Sequence, residues 1–167
     1  MDIPVPYGTH APIEPAAAGS IVVGHDGSQG AQQALEMALE LAGQLKAPVV
    51  LARAWSILTA PHPESWADGY VPPFEEFSQS VKKAMAADAP PIIEKYPNVQ
   101  VSYAPVHAAP LRSLIDVSRE ALMLVVGTRG RGGLAGMLLG SVSEQCVRHA
   151  ACAVLVVRDE KTSRRHH

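Results

Sequence analysis

Glycines and serines spaced to receive an anion stand in the stretch VVGTRGRGGLAGMLLGSVSE, from Val125 to Glu144. Two residues separate Gly127 from Gly130, and nine more precede the pair Gly140-Ser141. An apolar run from Ala121 to Val126 leads into this stretch, and a helical pattern follows it. At a passage from strand to helix, glycine lets backbone N–H groups converge while the helix N-terminus adds partial positive charge. The chemistry implied is phosphate binding. Arg129 and Arg131 lie in the same loop, where a guanidinium either pairs with phosphate or stands in solvent.

Two familiar phosphate loops do not fit. The P-loop needs GxxxxGK[ST], and no lysine stands at that place. The run from Gly130 to Ala135 spells GxGxxA, but a dinucleotide fingerprint follows the first strand of its fold and this one follows the fourth. Metal chemistry is not expected either, since the seven histidines form no HxxxH pair. Cys146 and Cys152 match neither a CxxC redox motif nor a zinc pattern. They read as small buried side chains in a reducing compartment.

The elements that must position this loop alternate along the chain. Ile21 to Gly24 is a short β-branched run stopped by His25-Asp26-Gly27-Ser28. Ala31, Ala34, Leu35, Ala38, Leu41, Ala42 and Leu45 then recur at helical spacing, with Ser28 as N-cap. A strand after Pro48 runs to Trp55; Val99, Val101 and Tyr103 alternate with polar residues as a half-buried strand. A short helix follows Pro110, then the strand ALMLVV, and after the glycine loop a helix from about Gly140 to His149 precedes the strand Ala153 to Val157. Strands alternating with helices predict an open parallel α/β sheet with helices on both faces, counted as five strands and four helices. The segment from Ser56 to Glu76 holds Pro61, Pro63, Pro72 and Pro73 with Trp66 and Tyr70, too long for an ordinary connection and readable as a flap or a mobile loop. The helix after it carries Phe77, Val81, Met85 and Ile92 on one face, and Pro90-Pro91 should kink or split it.

A chain of 167 residues fits one domain able to bury its own core. The expected division is a proline-rich arm at 1–19, a folded domain at 20–159 and a basic tail at 160–167. A formal charge of −2 gives no broad basic field for nucleic acid. No apolar run approaches a membrane span, and the N-terminal residues lack the charged start and apolar core of a secretory signal. A cytoplasmic protein is the expectation.

The segment VVGHDGS, the spacing Gly127-x2-Gly130-x9-Gly140-Ser141 and the closing AVLVVR together resemble the universal stress protein family, over Ile21 to Arg158. The resemblance implies a Rossmann-like sheet of strand order 3-2-1-4-5 holding ATP at the carboxyl ends of its strands. It places Asp26 at the nucleoside, accepting from ribose hydroxyls or helping hold Mg²⁺, with Gly24 and His25 lining the same pocket. Ala54 would read the adenine edge through its backbone. Gly127, Thr128, Arg129 and Gly130 would face ribose and phosphates, and Gly140, Ser141, Val142 and Ser143 would hold the terminal phosphates. Each residue has a plainer role beside this one. Asp26 can shape a turn or cap a helix, and Ser141 can act as an N-cap.

No general base stands beside a nucleophile, so a regulator rather than an enzyme is expected, with at most slow hydrolysis. The family likeness also implies a homodimer through Ala153, Val154, Leu155, Val156 and Val157, and an unknown regulatory partner. Cyclic AMP in place of ATP, or an interaction module binding no nucleotide, are the alternatives, with a nucleotide hydrolase more distant. One departure is Ala108, where the family's turn after the third strand has glycine. A positive φ there would strain alanine.

Overall fold

Apolar residues fill both parities of Ile21–Val23 and Leu124–Val126, so these strands need cover on both faces. The computed structural model, which describes residues 12–128 and 139–158, provides it. The elements in order are β1 (Ile21–Gly24), α1 (Gln29–Leu45), β2 (Val49–Trp55), α2 (Phe74–Asp88), α3 (Pro90–Ile93), β3 (Val101–His107), α4 (Pro110–Val117), β4 (Met123–Gly127), α5 (Ser141–His149) and β5 (Ala153–Val157). All five strands are parallel, in the order β3-β2-β1-β4-β5. The expected fold and strand order are therefore both found.

Alternation along the strands divides the core in two. Ile21, Val23, Val49, Leu51, Trp55 and Val125 face α1, α2 and α3, while Val22, Ala52, Leu124 and Val126 face α4 and α5. Edge position explains β3, whose interior Pro105 has no N–H to give and sits in a strand paired only with β2.

Local signals place the helix ends. Ser28 caps α1, its Oγ accepting from the Ala31 N–H at 3.2 Å. Pro90-Pro91 splits the expected long helix, since α2 stops at Asp88 and the prolines occupy the first turn of α3. That split makes five helices rather than four among the described residues. The buried stripe of α1 also differs from the expected one: Leu39 is fully buried, Leu41 only partly, and Leu45 is 52% exposed. Along the N-terminal stretch, the Ala16 N–H donates to the Val117 carbonyl at 2.8 Å, and Ile13 and Ala16 pack on the α4 side. Ala108 carries no left-handed φ; among the described non-glycine residues only Lys46 does. The glycine-free turn after β3 is thus unstrained.

Candidate functional site

In an open parallel sheet, loops diverge where the strand order reverses and leave a crevice at the carboxyl ends. That point here lies between β1 and β4. From β1, the His25 N–H donates to the Ala52 carbonyl at 3.0 Å, extending the pairing one residue past Gly24. Asp26 Oδ1 accepts from the Ser28 N–H at 2.9 Å, and Gly27 takes φ 83°. The turn-shaping role of Asp26 is thus realised, and it sets where the carboxylate is presented.

The other half comes from β4. The Thr128 N–H donates to the Val157 carbonyl at 3.1 Å, and its own carbonyl accepts from the Gly140 N–H at 2.6 Å. This second bond closes the neck of the glycine loop. The Ser143 hydroxyl, buried, donates to the Gly127 carbonyl at 2.6 Å, so it points inward rather than to a ligand. Gly140, not Ser141, is the N-cap of α5, and no side chain caps that end. Ser141 is the first helical residue, and the opening N–H groups of α5 have no carbonyl partner within the helix. An uncapped helix start suits an anion. A Cβ on Gly127 would stand 3.0 Å from the Gly30 carbonyl oxygen, so the β4 end and the first turn of α1 meet backbone to backbone.

Gly24, His25, Asp26, Gly127, Thr128, Gly140, Ser141, Val142 and Ser143 therefore gather at one end of the sheet. Ala54 lies at that end too, on β2 opposite Val106 and on the same strand face as Ala52. Arg129 and Gly130, with Arg131, fall outside the described residues.

Sequence reasoning missed the groups that hold His25. Arg53 Nε donates to the His25 carbonyl at 2.8 Å, and its Nη2 donates to His25 Nδ1 at 2.8 Å and to Asp88 Oδ2 at 3.0 Å. Arginine cannot accept, so Nδ1 must be the acceptor and the ring proton sits on Nε2. Nε2 and Gln32 Oε1 are both buried without a hydrogen bond of normal geometry. The signal was present in the strand: Arg53 shares the parity of Leu51 and Trp55, and a cation on a core-facing position demands partners.

Burial holds the His25 pKa below its ordinary value and the Arg53 charge pushes the same way, against weaker opposition from Gln32, Asp26 and Asp88. The unfolded chain thus takes up a proton first as pH falls. Stability from keeping the ring neutral is complete above about pH 6.5 and declines as pH drops towards the folded value. Thermal melts at constant ionic strength should show Tm falling through this window. His25→Asn, which keeps an acceptor and cannot titrate, should flatten the slope; parallel slopes for the two proteins would refute the assignment.

Neighbouring groups are accounted for elsewhere. Trp66 stacks on His62 at 4.5 Å and meets Phe77 edge-on at 5.6 Å, so it packs on α2. Burial, with Cys152 nearby, pushes the Cys146 thiol up to about 11, which leaves it inert at neutral pH. Among the described residues no cluster of three metal-ligating side chains occurs, and no helix is long and apolar enough to cross a membrane.

Comparison with known proteins points one way. The model of the Universal stress protein family matches residues 18–158. The universal stress protein Rv2623 of Mycobacterium tuberculosis is 34% identical over 142 residues, which are 85% of this chain and 46% of that protein. The chain thus spans about half the length of the curated relatives it matches. Among solved structures, a universal stress protein in complex with cAMP is 28% identical with a TM-score of 0.53, covering 86% of this chain and 98% of the other. One from Archaeoglobus fulgidus in complex with dAMP has a TM-score of 0.57 at 22% identity, over 83% and 96%. That second likeness bears on the fold alone.

Proposed function

Because the chain belongs to the universal stress protein family, we propose that it binds ATP between the ends of β1 and β4 and regulates a stress response through that occupancy. The observation carrying this is the backbone approach of Gly127, at the end of β4, to Gly30 in the first turn of α1, just past the Asp26 turn, at the reversal of strand order. The nucleoside would lie against Gly24, His25, Asp26 and the backbone of Ala54. Phosphates would lie at Gly127, Thr128, Gly140 and the start of α5, with Arg129 and Gly130 completing the loop. With the Ser143 hydroxyl bonded to the Gly127 carbonyl, Ser141 would supply the hydroxyl contact, and Val142 and Ser143 their N–H groups. Any Mg²⁺ would arrive with the triphosphate, since the described residues form no metal cluster.

A cyclic AMP ligand is the second reading, supported by the 28% identical structure that holds it. One experiment decides between them. The purified protein is denatured, released nucleotide is identified by absorbance and mass, and the nucleotide-free protein is titrated calorimetrically with ATP, ADP and cyclic AMP. ATP binding tightest is the expected result; silence with all three would defeat the nucleotide reading and leave an interaction module. In the same preparation sedimentation checks a homodimer through β5, whose apolar Val154, Leu155, Val156 and Val157 are only half-buried in the edge strand of the sheet among the described residues. Monomer alone at micromolar concentration would remove that part. A cytoplasmic setting accords with the two free thiols.

A further inference from the structure

Arg53 joins elements far apart in the chain. Its guanidinium meets the His25 carbonyl, the His25 ring and the Asp88 carboxylate at 2.8, 2.8 and 3.0 Å. Gln32 closes the ring from the first turn of α1, its Nε2 donating to the Asp88 carbonyl at 3.0 Å. The Arg53 side chain is 14% exposed and that of Asp88 42%, so the pair spans from the core-facing side of β2 to the surface. A planar fork with fixed donor directions holds these three acceptors in one preset geometry, which the freely rotating ammonium of a lysine does not impose. Such a buried cation adds little stability over an apolar residue of its size. Its geometry explains more, because every contact falls on the loop entering the crevice or on the last turn of α2.

We infer that Arg53 is the positioning residue of the nucleotide crevice: it grips His25, fixes the turn that presents Asp26, and ties that turn through Asp88 to the end of α2. This rests on the nucleotide reading above. Occupancy of the crevice and order of the last turn of α2 are then linked, and by reciprocity each stabilises the other.

The test uses the full chain with Arg53→Met, which keeps stem volume and removes the donors. Calorimetric titration with ATP is paired with hydrogen exchange on peptides covering 24–28 and 84–89, with and without nucleotide. The expected result is affinity weaker by about tenfold, faster exchange in both peptides without ligand, and loss of the ATP-induced protection that wild type shows at 84–89. Unchanged affinity, or protection at 84–89 that survives the substitution, overturns the inference while the nucleotide reading stands. If wild type binds no nucleotide, that reading falls, and the ligand-free exchange at 24–28 still decides whether Arg53 orders the turn. Should Arg53→Met fail to fold, Asp88→Ala leaves the grip on His25 and removes the tie. Protection at 84–89 should then vanish while ATP affinity falls by only about threefold.

Discussion

Phe77→Ala should lower the unfolding free energy by about 3–5 kcal/mol, the range for emptying a fully buried aromatic position. Phe77 has no exposed surface, stacks on Trp55 at 6.0 Å with an interplanar angle of 18°, and receives the edge of Trp66 at 5.6 Å. The cost depends on whether neighbours can move into the void. Trp55 cannot readily do so, because its ring also packs against His107 at 4.5 Å and Phe74 at 6.3 Å. The void therefore persists, and the Trp66 segment loses the surface it rests on. Urea denaturation read by tryptophan fluorescence measures both effects. A loss below about 1.5 kcal/mol would mean that the segment before α2 collapses into the space, as volume-tolerant sites do.

What the sequence shows and what it hides separate by distance along the chain. The strands, the Ser28 cap and the break at Pro90-Pro91 rest on neighbours within a few residues, and all appear in the structure. Helical spacing in α1 named the right face but misplaced part of the stripe in the helix's second half. Leu45 lies in the last turn and is exposed, while Leu39 is fully buried in the core. The four-residue α3 is too short for any periodic signal. Ser141 looked like an N-cap because it precedes the apolar-periodic residues; Gly140 takes that place since the Thr128 carbonyl holds its N–H. Arg53 and Asp88 stand 35 residues apart, and only the βαβ crossover brings them together. The odd parity of an arginine in VVLARAW announces a partner without naming it.

Gly127→Val should weaken ATP binding by about a hundredfold and lower stability by about 1–3 kcal/mol, the usual cost of overpacking a tight contact. A Cβ there would lie 3.0 Å from the Gly30 oxygen and 3.1 Å from its carbonyl carbon. Both belong to the backbone of α1, which cannot swing aside as a side chain does, so the β4 end or the helix start must shift. Either movement acts on the crevice directly. Gly127 carries the carbonyl that anchors Ser143 near the start of α5, while α1 begins just past the Asp26 turn. Gly24→Ala, compared by stability alone, shows what crowding against flexible side chains costs. The nearest atoms to its Cβ would be the two terminal methyls of Leu114 at 3.1 Å and a Val126 methyl at 3.4 Å. Those methyls can rotate away, so stability should fall by less than about 1.5 kcal/mol. Chemical denaturation of both variants distinguishes the two cases, and calorimetric titration of Gly127→Val reads the effect on the crevice. Gly127→Val with wild-type affinity would show that the close approach of β4 to α1 packs the sheet without forming the nucleotide crevice.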